Sequence, residues 1–281
     1  MNKIKELKEI CSQVRRDIVR MVHGCQSGHP GGSLGCVEFL VSLYFDIMNH
    51  NNKFNMNGEN EDIFFLSNGH ISPVFYSVLA RSGYFPIHEL QTFRHINSRL
   101  QGHPTTHEKL PGIRIASGSL GQGPSVAIGS ALTKKLNSDN STVYCLCGDG
   151  ELQEGQIWEA IMYAGAKKVN NLILTIDVNR QQICGSTEEI MSLGDLKMKF
   201  TAFEWNVLEV KNGNNIDDVL SILKSAKNLT SDKKPVCILL NTEMGYGVDY
   251  MMGSHKWHGI APNDQQLEIA LNQLNETLGD Y

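Results

Sequence analysis

The chain has 281 residues, 41% of them hydrophobic and 20% charged, which is enough apolar material for a large domain with a buried core. The formal net charge is −5 and the basic residues are scattered, so the charge pattern does not favour nucleic-acid binding. No apolar run approaches the roughly 20 residues of a bilayer span, and the charged N-terminal segment lacks the apolar core of a signal peptide, which predicts a cytoplasmic protein without membrane contact.

The N-terminal third is predicted to be mainly helical. Apolar periodicity favours helices near residues 3–23, 34–47 and 72–82, separated by turns rich in glycine and histidine, with one short strand, "DIFFLS", at 62–67. Residues 1–60 are therefore predicted to form a helical lead-in to the rest of the chain.

The remainder alternates strands with helices. Apolar, often β-branched runs predict strands and helix-period segments lie between them: strands at 142–147, 171–177, 206–210 and 235–242, helices at 155–168, 194–203 and 216–228. Because these strands lack a polar face, they favour a parallel sheet that is buried on both sides. The sequence thus predicts an α/β fold, a doubly wound, mostly parallel sheet with helices on both faces, in a single domain over residues 1–281.

Unusual polar residues follow four of the predicted strands. They are "SNGH" (67–70), "GDGE" (148–151), "DVNRQ" (177–181) and "EMGYG" (243–247). In open parallel sheets, ligands bind outside the carboxyl ends of the strands, where such loops converge. We therefore expect one end of the sheet to carry the chemistry.

Two of these loops hold a candidate metal site. Asp149 and Asn179 are separated by a strand, a turn and a helix, so they are expected at the ends of adjacent parallel strands, about 5 Å apart. With the main-chain carbonyl of Gln181 they offer three oxygen ligands, a set that Mg²⁺ accepts when phosphates supply the rest. The alternative is a tight turn in which Asp149 caps the helix that begins near Gly155.

Six segments resemble transketolase, in the same order along the chain. They are "SGHPGGSLG" (27–35), "LSNGHISPVFYS" (66–77), "GHPTTHEKLPGIRIASGSLGQG" (102–123), "GDGELQEGQIWEA" (148–160), "DVNRQQICG" (177–185) and "GSHKWHGIAPND" (253–264). The spacing of GDG and the asparagine also resembles the fingerprint of thiamine diphosphate enzymes. The resemblance implies the thiamine diphosphate-binding fold, with thiamine diphosphate and Mg²⁺ as cofactors and Ca²⁺ or Mn²⁺ as substitutes for the metal. The implied reaction, one of the pentose phosphate pathway, transfers a two-carbon ketol unit from a ketose phosphate to an aldose phosphate.

Four histidines match family positions in the cofactor and substrate pocket. The resemblance implies that His70 and His258 lie near the diphosphate and the reacting centre, and that His29 and His103 face the hydroxyls of the donor sugar. A neutral imidazole suits these tasks because it can donate to or accept from hydroxyls and can move a proton near pH 7. The alternative for any one of them is a histidine packed in a loop and bonded to the backbone.

Further cofactor contacts follow from the same resemblance. Its implied members are Gly118, Ser119 and Leu120 at the rings of the cofactor, Gly148 and Gly150 beside its diphosphate with Asp149 and Asn179, and Glu154 in a carboxylate network that crosses to a partner active site. Ser119 stands where the family usually has proline, so the rigidity of that loop is in question. Glu154 and Glu159 have the alternative of being solvated carboxylates in the first turn of a helix.

The resemblance also implies a partner. In transketolase, a glutamate beside the aminopyrimidine ring and the residues that hold the sugar phosphate belong to a second domain, and no matching motif is found here. The chain is similar to the N-terminal section of transketolase, and we expect it to pair with a protein equivalent to the C-terminal section. Two such pairs would form an α₂β₂ heterotetramer.

Other interpretations remain open. One is a split transketolase that is specialised for a branched or sulfonated sugar. Another is a different thiamine diphosphate enzyme, namely a 2-oxo-acid dehydrogenase α-subunit or a deoxyxylulose phosphate synthase, although those families lack counterparts of "SGHPGGSLG" and "SHKWHG". A non-catalytic relative that only binds the cofactor or a partner is disfavoured because Asp149, Asn179 and the four histidines are all present.

Overall fold

A single parallel sheet organises the protein. The computed structural model describes residues 3–281. The five strands of the main sheet are β1 (Ile63–Leu66), β2 (Val143–Gly148), β3 (Leu172–Val178), β6 (Asn206–Val210) and β7 (Val236–Asn241). They lie in the order β1-β2-β3-β7-β6, and every neighbouring pair is parallel. A separate antiparallel hairpin consists of β4 (Gln181–Gln182) and β5 (Gly185–Ser186).

Helices connect and cover the strands. Their bounds are α1 Lys3–Gly24, α2 Pro30–Gly35, α3 Val37–Ser42, α4 Ser72–Arg81, α5 Gly123–Leu136, α6 Gly155–Ala166, α7 Thr187–Met191, α8 Leu196–Ala202, α9 Ile216–Leu229 and α10 Asp264–Gln273. Among residues 3–281, no helix is long and apolar enough to cross a membrane.

Both faces of the sheet are buried. Along β2, Tyr144 and Leu146 belong to one apolar cluster together with residues of α1, α3, α4 and α9, whereas Cys145 and Cys147 belong to a second cluster with residues of α5, α6 and α8. This alternation explains why the strands carry no polar face, since each side chain enters one of two cores. The predicted α/β fold with a doubly wound parallel sheet is confirmed.

The N-terminal lead-in differs from its prediction in one helix. Instead of a continuous helix over 34–47, α2 begins at Pro30, a break follows at Cys36, and the last turn, Leu43–Ile47, is a π-helix. Proline is favoured in the first helical turn because it needs no amide partner there, which explains the earlier start. The single domain with its lead-in over residues 1–60 stays a prediction, and residues 1 and 2 lie outside the described residues.

Two helices were absent from the sequence prediction. Helix α5 is rich in glycine, serine and alanine, so its apolar stripe is weak, and α10 has only one buried residue, Ala270. The signal for α10 was local, because Asn263 and Gln266 form a reciprocal capping box at its start.

Candidate functional site

A cavity of about 470 Å³ opens at the carboxyl ends of β1, β2 and β3. It is lined by His29, Gly32, Asn68, His70, Ile71, His103, Gly118, Leu120, Gly148, Asp149, Gly150, Glu151, Gln153, Glu154, Asp177, Asn179, Gln181, Gln182, Ile183, Met244 and His258. Every residue that the sequence assigned to the site is present except Ser119, which lies exposed in the same loop as Gly118 and Leu120. The volume is that of a typical small-molecule site.

The four predicted histidines come together although they lie far apart in sequence. The ring centroid of His29 is 5.2 Å from that of His70, 6.1 Å from that of His103 and 5.6 Å from that of His258. His70 and His258 stack at 5.0 Å. His29 precedes α2 and His70 lies in the turn after β1, so the ends of separate elements build one cluster.

Several buried polar atoms of the cavity have no hydrogen-bond partner among residues 3–281. They are His29 Nδ1, His258 Nδ1, Asn68 Oδ1 and Gln182 Oε1. Buried polar groups in proteins nearly always have a partner, because an unpaired one keeps its desolvation cost. Four such atoms around one cavity therefore favour a polar ligand that satisfies them.

Burial keeps the histidines neutral. Burial, followed by the nearby His258, Arg94 and His103, lowers the pKa of His29 to about 4. Burial is also the first cause that lowers the pKa values of His70, His103 and His258. At neutral pH each ring can therefore both donate and accept a hydrogen bond.

The pKa of His29 leads to a stability prediction. Between its ordinary pKa of 6.5 and the folded value of about 4, the unfolded chain binds the proton and the folded chain does not, so His29 makes folding less favourable as the pH falls through this window. His29→Gln removes this contribution. We expect the melting temperature of His29→Gln, relative to wild type, to rise between pH 7 and pH 5. His88→Gln, at an exposed histidine outside the cavity, serves as control, and a pH-independent difference for His29→Gln would refute the assignment.

Asp149 is a buried acid at the end of β2, only 2% exposed. Its carboxylate accepts the amides of Gly150 at 2.7 Å and Arg180 at 2.6 Å. Burial, and then the nearby Asp177, raise the pKa of Asp149 to about 7. Asp149 caps the short 3-10 turn that follows it, and the N-cap of α6 is Glu154, so the alternative that Asp149 caps α6 is wrong.

Asn179 lies close to Asp149 because Gly148 pairs with Asp177 across β2 and β3. The amide nitrogen of Asn179 donates to Asp177 at 2.8 Å, and its oxygen accepts the amide of Gln181 at 2.9 Å. Both Asp177 and Asn179 line the cavity. The side-chain oxygen of Asn179 is thereby turned away from the acid that fixes its nitrogen.

These residues could hold a divalent cation together with a phosphorylated ligand. Among residues 3–281, no three His, Cys, Asp or Glu side chains form a metal site by themselves. One carboxylate from Asp149, the amide oxygen of Asn179 and the carbonyl of Gln181 instead form a partial set, which suits Mg²⁺ when phosphate oxygens complete it. Two neighbouring buried acids, Asp149 and Asp177, also favour a cation electrostatically.

Two buried acids of the site were not predicted from the sequence. Asp177 ends the apolar run of β3 and is 1% exposed, and Glu151 directly follows GDG and is 3% exposed. An acid that closes a fully buried strand was the available signal for Asp177. For Glu151 there was none, because only the 3-10 turn after β2 aims it inward. Glu154 and Glu159, the two candidates predicted instead, are both exposed, with Glu154 on the cavity lining.

Comparisons with known proteins agree with this geometry. The family described as "Transketolase, thiamine diphosphate binding domain" matches residues 7–279. One of the two subunits of an apulose-4-phosphate transketolase from Actinobacillus succinogenes is 38% identical over 272 residues, 96% of each chain. The 6-deoxy-6-sulfo-D-fructose transketolase subunit SqwG of Clostridium sp. is 36% identical over 271 residues, 96% of this chain and 97% of the relative.

A solved structure extends the comparison to a longer protein. Transketolase from Campylobacter jejuni superposes with a TM-score of 0.87 at 34% sequence identity. The match covers 98% of this chain and 43% of that one. The chain therefore spans less than half the length of this solved relative, whereas it matches the two subunit relatives almost end to end.

Proposed function

Because the chain belongs to the transketolase family, through its thiamine diphosphate-binding domain, we propose that it is one subunit of a two-subunit transketolase. The complete enzyme transfers a two-carbon ketol unit from a ketose phosphate to an aldose phosphate. The observation that carries this proposal is the cavity in which four neutral histidines face the GDG turn and Asn179. Transferases of this kind need hydroxyl recognition and proton transfer beside an anchored diphosphate.

The metal in this proposal is Mg²⁺. Asp149, Asn179 and the main-chain carbonyl of Gln181 are its protein ligands, and the diphosphate of the cofactor supplies further oxygens. Support comes from the raised pKa of Asp149, because a buried acid beside a second acid is the environment that a bound cation would relieve.

The cofactor is thiamine diphosphate, which supplies the nucleophile and the electron sink when it is bound. Gly148 and Gly150 let the backbone lie close to the diphosphate. The loop Gly118, Ser119 and Leu120 holds the rings, and the unpaired buried atoms of the cavity are candidates to bond the ligand. A cavity that presents such atoms fits a ligand that is polar at one end and aromatic at the other.

The histidines divide the remaining work. His70 and His258, which stack on each other, lie at the cofactor, where they orient the diphosphate and hold or move a proton. His29 and His103 bind the hydroxyls of the donor sugar. Their lowered pKa values support this division, since a neutral ring can accept a proton from a hydroxyl and return it.

A partner protein completes the enzyme. Two relatives that match almost end to end are themselves named as subunits of transketolases. An exposed apolar face on α5 and α6 also supports a partner: Val126 is 40% exposed, Met162 54% and Tyr163 45%. Glu154 lies exposed near this face, at the start of α6. We propose an α₂β₂ assembly, in the cytoplasm, in which residues 1–281 form a single domain of each α-subunit.

A second candidate function concerns the substrate. The two subunit relatives are named for apulose-4-phosphate and for 6-deoxy-6-sulfo-D-fructose, which favours an unusual donor sugar for this chain as well. In that case the chemistry at the histidines is unchanged, and the partner binds the far end of the sugar. Comparing kcat/KM for ordinary, branched and sulfonated ketose donors in the assembled enzyme distinguishes the two candidates.

His103→Ala tests the function at the donor sugar. We expect the assembled variant to bind thiamine diphosphate within about threefold of wild type, while kcat/KM for the ketose donor falls by about 100-fold or more, because a group that binds and deprotonates a hydroxyl is lost. Calorimetry and a coupled ketol-transfer assay give the two numbers. His107→Ala, at an exposed histidine outside the cavity, is the matched control. Loss of cofactor binding with normal donor turnover would mean that His103 is misplaced, and absence of ketol transfer by the wild-type assembly would refute the function.

A further inference from the structure

Glu151 is a buried acid that joins three loops of the site. The hydroxyl of Ser67 and the amide of Gly121 both donate to its Oε1, the latter at 2.7 Å. The amide of Gly148 donates to its Oε2 at 3.1 Å. At 3% exposure the carboxylate is almost fully removed from water, and three donors from separate parts of the chain satisfy it.

The three donors belong to the segments that surround the cofactor site. Ser67 directly follows β1, Gly148 ends β2, and Gly121 lies in the loop over residues 118–123. The hydroxyl of Ser67 also accepts the amide of Gly123 at 3.1 Å, so the two ends of the turn 121–123 are held by one connected network. Glu151 with Ser67, Gly121, Gly123 and Gly148 thus forms one unit, the Glu151 clamp.

The loop over 118–123 needs such support. Three of its six residues are glycines, and Gly121 has φ +86°, so the free loop has many accessible conformations. Ser119 occupies a position where transketolases usually have proline, which would fix φ at that residue. Ser119 is exposed and does not have a positive φ, so its own contacts do not restrain the loop as a proline would.

We propose that Glu151 is a positioning residue that fixes the loop 118–123 against the ends of β1 and β2, in place of the rigidity that a proline at position 119 would give. It acts on the cofactor through Gly118, Leu120 and Gly148, which line the cavity. The inference rests on the proposed function for the identity of the ligand, but the contacts of the clamp are independent of it.

The ionised carboxylate is essential to this role. Glutamine has nearly the same shape, but only its oxygen accepts, while its nitrogen would face a backbone amide donor. Glu151→Gln therefore leaves at least one of the amides of Gly121 and Gly148 without a partner. Hydrogen bonds to a charged group are among the stronger ones in proteins, so the loss should be felt locally.

Hydrogen exchange of the full chain tests the clamp directly. Glu151→Gln should speed exchange of the amides of Gly121, Gly123 and Gly148 by about 10- to 100-fold, with amides in the centre of β3 unchanged. Ser67→Ala, which removes the hydroxyl alone, should speed exchange at Gly123, and this variant keeps the test open if Glu151→Gln folds poorly. Glu268→Gln, at an exposed glutamate of α10, is the control. Wild-type exchange rates at Gly121 and Gly123 in both variants would overturn the proposal.

Introducing the proline tests the substitution of one restraint for the other. Ser119→Pro should recover about two- to fivefold of the thiamine diphosphate affinity that Glu151→Gln loses in the assembled enzyme, and should change the wild-type affinity by less than about twofold. The same change in both backgrounds would show that the two positions are independent and would overturn the inference. If the wild-type assembly bound no thiamine diphosphate, the proposed function would fail while the exchange result still decided the clamp.

Discussion

Asp149→Ala is expected to abolish magnesium-dependent binding of thiamine diphosphate. The side chain is the single carboxylate in the proposed ligand set, with Asn179 and the carbonyl of Gln181 contributing only neutral oxygens. Outer-shell partners of metal ligands are worth about 10- to 100-fold in affinity, so removing a charged direct ligand should cost more than about 100-fold. Calorimetry of the assembled enzyme with Mg²⁺, and again with excess chelator, measures the effect.

The pH dependence of binding provides a second measurement at the same site. Without metal, the pKa of Asp149 is raised to about 7, and only the ionised carboxylate binds the cation. Wild-type affinity should therefore fall as the pH drops below 7, by up to about tenfold per unit. Asp149→Asn should be weak at every pH and lose most of this slope. The control, Asp218→Asn in the exposed first turn of α9, should match wild type. Unchanged affinity in Asp149→Ala would contradict the metal assignment.

The fold was predictable where burial alone decides it. The strand predicted at 142–147 is observed at Val143–Gly148, and the strand predicted at 206–210 is observed at the same residues. A strand that is buried on both faces has an apolar run of limited length, which sequence shows directly. The break at Cys36 and the helix α5 were not predictable in this way, because tertiary packing stabilises short or glycine-rich helices that lack a strong apolar stripe.

The site was predictable where a motif fixes a residue to a strand end. His70, Asp149 and Asn179 each follow a strand, and the order of the strands brings them to one cavity. The acids that organise the site from within were not predictable. Glu151 has the sequence context of a polar residue in a turn, and only the three donors that surround it in the fold reveal its role.

Dependence on a partner is the second large effect that we expect. Each proton transfer by a positioned side chain contributes about 10²- to 10⁴-fold to a rate, and the proposed enzyme takes at least one such group, together with its sugar-phosphate contacts, from the partner. The histidines of this chain can bind and orient the donor, but they do not complete the reaction. The exposed apolar side chains of α5 and α6 are expected to become buried when the partner binds.

The partner itself can be sought in the neighbouring reading frame, as a protein with the pyrimidine-binding domain. Mixing it with the chain should produce a heterotetramer on size-exclusion chromatography with light scattering. Tyr163→Glu, which places a charge on the exposed face of α6, should weaken this assembly without unfolding the chain, because the side chain is 45% exposed.

Ketol transfer by the purified chain, with thiamine diphosphate and Mg²⁺ present, tests the central claim most directly. The chain alone should show no transfer above background, and adding the partner protein should restore it by at least about 100- to 10,000-fold. Full ketol transfer by the chain without any partner would contradict the proposal that it is one half of a two-subunit enzyme.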